Sequence, residues 1–387
     1  MAFVRSNPEA GEIPLLPLFF SSLVWQSCVM WFLGHDEKTM LFRRKQARKR
    51  DAAIGLDLGS RQWKGVVVHR TEQGLQLCSY AVTPCTANPG KTEAQAQFVE
   101  AAQTLLSQLK ASDRYAYVAI SSPDSLVAEI EMPRLPAGDI RSIISLNSAR
   151  YLRRDLSGYY VDAVELADTT TDGKARRTPT MQTLVAGAPR EEVLSYRNAL
   201  NSAKMKAETI ELSSVAVINA IQRSHAEVCE QNVVLLLDIG NQLTSLNFLR
   251  RGQPLLTRLM PFGGAQITKQ VARALGLEPA AAEEQKRNMS EKAAVVVQGT
   301  LQTLAREVRS SIDFVERQHD CDIRHAFAGG GTACNPAIVE ALSQEVGVQI
   351  LRWNPLEGYE TTGVDTAQLA ALAPCLGAAV GVAVARL

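Results

Sequence analysis

The feature that most constrains this chain is a repeat. Ala53 to Asp57 is a short apolar run ending in Asp57-Leu58-Gly59-Ser60. Trp63 to His69 is a second strand-like run, and a third, Leu75 to Val82, follows a turn at Gly74. The order returns in Val233 to Asp238, which ends in Asp238-Ile239-Gly240-Asn241, then Thr244 to Leu249, a turn at Arg251-Gly252, and Pro254 to Met260. Internal similarity of this kind marks repeated supersecondary units and decides the architecture before any single motif does. Two strand-turn-strand units, each with Asp-x-Gly at its first tip, predict an α/β protein with a duplicated lobe.

Taken singly, an Asp-x-Gly is an ordinary hairpin turn. In matched pairs it has a chemical use. Glycine lets backbone N–H groups approach a phosphate closely. The aspartate would repel that phosphate unless a Mg²⁺, bound through carboxylates, waters and phosphate oxygens, lay between them. Asp57 and Asp238 are therefore candidate ligands of Mg²⁺, acting through water, and the two tips could clamp a polyphosphate from both sides. A third glycine element, Ala326-Phe327-Ala328-Gly329-Gly330-Gly331-Thr332, leaves an apolar strand, and Asn335-Pro336 opens a helical pattern. Such a strand, turn and helix start offer a surface for a flat base and its ribose. Between the second hairpin and this turn, helices are expected over 267–275, 280–287 and 301–318. The segment Ala282-Glu283-Glu284-Gln285-Lys286 sets Glu283 and Lys286 three apart on one face, which by spacing alone is a solvated ion pair. The closing run Pro374 to Ala383 has small residues four apart, a pattern that permits tight helix packing.

Composition narrows the function classes. A chain of 387 residues exceeds one ordinary core and predicts several compact units. The net charge of +1 gives no global attraction to nucleic acid, so none is expected as a partner. The seven cysteines are widely spaced and lack the spacing of zinc or redox sites. His319 and His325 are the one close histidine pair, and no metal site is expected there.

The first 50 residues stand apart. Ile13 to Gly34 is uncharged and mostly apolar, about the ~20 residues a membrane-crossing helix needs. Arg43, Arg44, Lys45, Arg48, Lys49 and Arg50 follow it and would hold the remainder in the cytoplasm. Pro14 and Pro17 break the first turn, and Ser21, Ser22, Gln26 and Ser27 lower the apolarity. Because Met40-Leu-Phe-Arg-Arg-Lys makes a natural start, residues 1–39 are read as upstream sequence, with an anchor at 13–34 as the alternative.

The ordered set IGLDLGS, LLLDIGNQLTS, AEEQK, FAGGGT and CLGAAVGVA resembles the phosphate, adenosine and connecting motifs of the actin, sugar-kinase and heat-shock chaperone superfamily. The middle segments Glu131-Met132-Pro133-Arg134-Leu135-Pro136, Ser148 to Leu152 and Tyr159 to Val164 are similar to the PilM family of type IV pilus assembly proteins, relatives of FtsA. The resemblance implies an actin-like (ribonuclease H-like) two-lobe fold with a small inserted α+β subdomain. It implies an ATP and Mg²⁺ site with Asp57, Gly59, Ser60 and Lys64 on one side and Asp238, Gly240, Asn241 and Thr244 on the other. Glu283 and Lys286 would meet ribose and base, with Gly329, Gly330 and Gly331 beside the adenine.

The divisions it implies are a first lobe at 51–112 and 206–230, an insert at 113–205, and a second-lobe core at 231–262 and 325–367. A helical part at 263–324 and a final helix at 368–387 returning to the first lobe complete them. The function so implied is a cytoplasmic adaptor, peripheral to the inner membrane and at most a weak ATPase. It would bind the cytoplasmic N-terminal tail of a PilN-like membrane protein in a groove between insert and first lobe, with self-association as a further expectation. An FtsA-like filament and a small-molecule kinase are the alternatives. Asp238 is the one candidate to position metal or water, and no catalytic base is identified.

Overall fold

The computed structural model describes residues 51–85, 95–111, 113–166 and 179–387. The apolar segment 13–34, the basic run and Met40 lie outside the described residues.

The first lobe starts with β1 (Ala52–Leu58), β2 (Gln62–Thr71) and β3 (Gly74–Pro84), an antiparallel meander. Helix α1 (Gln95–Leu109) then leads to β4 (Tyr115–Ile120), which lies parallel to β1. The chain leaves the lobe as β5 (Leu126–Pro133), α2 (Ala137–Leu152), β6 (Tyr159–Glu165) and β7 (Thr180–Pro189). It returns through α3 (Arg190–Ser202), β8 (Lys206–Leu212), α4 (Ser213–Ser224) and α5 (Ala226–Gln231). The sheet order is β3-β2-β1-β4-β8.

The second lobe repeats that plan. β9 (Val233–Ile239), β10 (Thr244–Arg250) and β11 (Gln253–Met260) form the meander. Helices α6 (Gly264–Leu275), α7 (Pro279–Asn288) and α8 (Glu291–His319) precede β12 (His325–Gly329), which is parallel to β9. A short 3-10 turn, α9 (Pro336–Val346) and β13 (Ile350–Arg352) complete the sheet β11-β10-β9-β12-β13. The two orders coincide strand for strand, so the duplication seen in sequence is a duplication of topology. Helix α8 begins at Glu291, ten residues before the expected 301, because Ala293 and Val297 continue its buried stripe.

The insert is smaller than the 113–205 expected. β4 pairs with β1 and β8, and α3 packs against β8 and α1, so both belong to the first lobe. What protrudes is the antiparallel sheet β5-β7-β6 with α2 on its face, closed by a small core of Met132, Ile140, Ile144, Ala163, Met181 and Val185.

After β13 come α10 (Thr366–Leu372), a 3-10 segment and α11 (Gly377–Val384). α11 crosses back to pack on β1, β2, β4 and α4. The small residues explain how closely it can approach. A Cβ at Gly55 would sit 2.0 Å from the Ala379 carbonyl oxygen, and one at Gly381 would sit 1.8 Å from that of Ala216. Residues 366–384 are long and apolar enough to cross a membrane by composition, yet they are mostly buried in the protein and form its central core with Val217, Ile221 and Leu236.

Candidate functional site

Both meanders turn toward the interlobe cleft, so the tips of β1–β2 and β9–β10 face one another. Asn241 Nδ2 of the second tip donates to Ser60 Oγ of the first at 3.2 Å. One turn further, Arg61 reaches across to Glu283, 3.4 Å from its Oε2.

Asp57 ends the buried strand β1 and is 6% exposed. In the antiparallel register it lies opposite Lys64, whose Nζ is 2.8 Å from its Oδ2. Ser213 Oγ is 3.5 Å from the other carboxylate oxygen. Burial lowers the Lys64 pKa, but the Asp57 carboxylate, with Cys375 and Asp238 assisting, outweighs it and holds the pKa above its ordinary value. Asp238 ends β9 opposite Ser245, which offers no cation. Burial, then repulsion from Asp57, push the Asp238 carboxyl up to about 7, with Lys64 only partly countering them. Two acids and one lysine thus converge from different lobes and leave one carboxylate without a matching cation. That surplus is the property a Mg²⁺ site requires, and Asp57 and Asp238 fit the role of its carboxylates. Among the described residues there is no cluster of three His, Cys, Asp or Glu side chains able to hold a metal by themselves.

On the second-lobe side Glu283 and Lys286 meet at 2.7 Å. Lys286 also donates to Thr268 Oγ1 at 2.9 Å and to the Gly264 carbonyl oxygen at 3.2 Å, while Thr268 donates to Glu283. Burial raises the Glu283 pKa, but Lys286, Thr268 and Arg61 together outweigh it and bring it below the usual carboxylate range. Lys286 is lowered by burial, and Glu283 resists that shift. The exposed ion pair implied by spacing is therefore a buried one beside the cleft.

The glycines divide by role. A Cβ on Gly59 would lie 2.9 Å from the Gln62 carbonyl oxygen, and one on Gly240 would lie 2.8 Å from that of Leu243, so both are required by their own tight turns. The Gly240 N–H is spent on Leu243 within its hairpin. Gly329 packs under Trp353, and Gly330, at φ +87°, backs onto the Ile239 main chain. Only Gly331 of the triplet has open space where a side chain would stand.

One expected contact is absent. Thr244 is fully buried and its hydroxyl donates to the Phe262 carbonyl oxygen at 2.8 Å, so it ties β10 to the chain after β11 and presents nothing to the cleft. Conversely, sequence reasoning passed over Arg61, Thr268, Thr332 and Gly263. Thr332 donates to the Gly240 carbonyl oxygen at 3.0 Å, and a Cβ at Gly263 would collide with the Asn241 carbonyl at 2.5 Å. The Gly263-Gly264 pair opening α6 was a readable signal for close approach, whereas Arg61 had none.

A separate groove of about 650 Å³ borders the insert, lined by Leu126 and Val127 of β5, Leu259 and Met260 of β11, Phe262 just after it, and Leu304 of α8. Its second wall is the second lobe.

Two lobes of identical strand order, each aiming an acidic glycine turn into one cleft and joined by a crossing C-terminal helix, define an actin-like protein. Residues 55–387 match the family model described as type IV pilus assembly protein PilM, and the chain belongs to that family. A solved PilM-PilN type IV pilus biogenesis complex contains a similar chain at 24% identity and a TM-score of 0.75, covering 86% of this chain and 98% of that one. The ethanolamine utilization protein EutJ from Carboxydothermus hydrogenoformans is similar at 14% identity and a TM-score of 0.52, covering 86% and 89%.

Proposed function

We infer that this member of the family is a nucleotide-binding adaptor of type IV pilus assembly, in which Mg-ATP bridges the two hairpin tips. The reading is carried by the convergence of Asp57, Lys64 and Asp238 from two lobes whose tips touch through Ser60 and Asn241. Asp57 and Asp238 would hold the metal through water and Lys64 would face the phosphates. Glu283 and Lys286 would bound the ribose and base, with Gly331 giving access beside the adenine. The metal would neutralise phosphate charge. The residues themselves orient the ligand and hold the lobes together, since hydrogen bonds to charged groups contribute on the order of 1.5–3 kcal/mol each. Among the described residues this reading assigns no base for water, and it expects slow hydrolysis or none.

The partner in this reading is a PilN-like protein, supported by the likeness to the PilM-PilN complex; bound through a cytoplasmic tail, it would place the chain at the cytoplasmic face of the inner membrane. The apolar groove between β5 and the second lobe supports a peptide-binding role for the insert, because an extended segment can seat apolar side chains between two strand edges. Calorimetry with Mg-ATP tests the core of the proposal. Wild type should bind, and Asp238→Ala should bind weakly and retain the partner tail less well. Equal affinity in both would sink it.

A further inference from the structure

Directly behind the cleft the fold brings together two thiols that the proposed site does not use. Cys334 ends the 3-10 turn Thr332–Cys334 that follows the glycine triplet, and Cys375 lies in the 3-10 segment Ala373–Leu376 that leads into α11. The two segments are tied by their backbones, the Gly330 N–H donating to the Pro374 carbonyl oxygen at 2.8 Å. The 3-10 turn and the 3-10 segment pack against one another, which places the two thiols side by side behind the glycine turn. Cys334 Sγ further lies 3.9 Å from the Gly330 carbonyl oxygen and 4.0 Å from that of Leu372. Cys375 is 4% exposed, whereas Cys334 is partly open to solvent.

The two thiols differ in the way a reactive pair requires. The neighbouring Cys375 draws the Cys334 thiol below its ordinary range against the effect of burial, and Arg352 and Lys64 assist. Cys375 is held well above that range by the adjacent Cys334 and by burial. Cys334, partly open to solvent, is the thiol a peroxide can reach, and the buried Cys375 beside it is the resolving partner. Lys64 and Asp57 act on Cys375, which sets the pair against the phosphate side of the cleft.

We propose that Cys334 and Cys375 form an oxidisable dithiol whose closure to a disulfide, driven by a peroxide, shifts the Gly330-Gly331 turn. The Cys334 thiolate attacks the peroxide oxygen to give a sulfenic acid and hydroxide. The Cys375 sulfur then displaces that oxygen as water, so two thiols and one hydrogen peroxide yield one disulfide and two waters. Disulfide sulfurs lie about 2.05 Å apart, well inside any thiol hydrogen bond, so one segment must move. The Cys375 segment is held in place, because Gly377 directly after it packs against Trp353 so closely that an added Cβ would lie 2.5 Å from its ring. Movement therefore falls on Cys334 and on Thr332, whose bond to the Gly240 carbonyl oxygen joins the turn to the second hairpin tip. On the nucleotide-binding reading above, this change weakens the hold on the base.

The test exposes the full-length reduced protein to a small excess of hydrogen peroxide, followed by alkylation, peptide mapping and Mg-ATP titration. A Cys334–Cys375 crosslinked peptide, reversed by dithiothreitol, is expected while Cys78 and Cys321 remain alkylatable. The oxidised protein should bind Mg-ATP about tenfold more weakly, roughly the worth of one lost hydrogen bond. In Cys375→Ala, a substitution small enough for its buried position, Cys334 should instead accumulate as a sulfenic acid trapped by dimedone. Cys334→Ser should abolish the crosslink and leave Cys375 unoxidised. Overturning results are free alkylation of both thiols after peroxide, or a crosslink of either one to a different cysteine. If the crosslink forms and neither redox state binds nucleotide, the dithiol stands and the nucleotide reading falls.

Discussion

In the first lobe Asp57 stands opposite Lys64 in the β1–β2 register, and in the second lobe Asp238 stands opposite Ser245 in the equivalent β9–β10 register. The backbones repeat but the charges do not. The first tip is a closed ion pair that can be buried without a ligand, because each charge satisfies the other. The second tip carries an acid whose charge the empty protein opposes and a cation would restore. Duplication supplied the geometry, and one unmatched residue makes the geometry responsive to a ligand.

The largest effect expected from this asymmetry comes from breaking the first tip. Lys64→Met leaves the Asp57 carboxylate buried, unpaired and facing Asp238, and should destabilise the protein by about 3–5 kcal/mol in urea denaturation. Adding Asp57→Asn should restore most of that loss. A Lys64→Met protein as stable as wild type would show that the pair is not buried in solution.

The second tip should behave in the opposite sense. A carboxyl whose folded pKa is about 7 binds its proton more tightly folded than unfolded, where the ordinary value is 3.8. Its contribution to stability is complete below about pH 4 and is lost as pH rises through 7. Asp238→Asn should therefore stabilise the ligand-free protein by about 4 kcal/mol at pH 8 and by almost nothing at pH 4. Glu211, pushed up to about 8 by burial despite Arg386 and Asn219, leaves a residual slope of the same sign in the variant. Mg-ATP affinity in wild type should run the other way. Since the metal needs ionised Asp238, affinity should fall by about fivefold from pH 7 to pH 6, read by calorimetry with correction for proton release.

The fold was legible because it rests on local pattern. Alternating apolar runs and glycine turns define the meanders, and their recurrence at Val233 defines the second lobe. The small residues of Gly377 and Gly381 announced the close helix that meets Gly55 and Ala216. The insert's limits were not legible. β4 and α3 look like neighbours of the insert in sequence, yet they pair with β1, β8 and α1, which lie far away along the chain. Thr244 misled for a related reason: its residue type suits a phosphate, but its place opposite Ile239 turns the hydroxyl toward Phe262. Side-chain identity can be read from sequence, whereas the direction a side chain faces depends on register and on distant partners.

The smallest expected effect sharpens the comparison most, because it concerns a charged contact that crosses between the tips' surroundings. Arg61 follows the first tip and meets Glu283 at 3.4 Å, but its own side chain is 40% exposed. A half-exposed pair of this kind contributes about 0.2–1 kcal/mol, so Arg61→Gln should shift global stability hardly at all. Its influence lies elsewhere, since Glu283 is already satisfied by Lys286 and Thr268 and loses only an interlobe tether when Arg61 goes. Ligand-free protein should then open more often, seen as faster hydrogen exchange at Ser60 and Asn241, with the strand interiors of both sheets unchanged. Unaltered exchange at both tips would mean that the lobes are held by α11 and the core beneath it, and that the hairpin contacts merely follow.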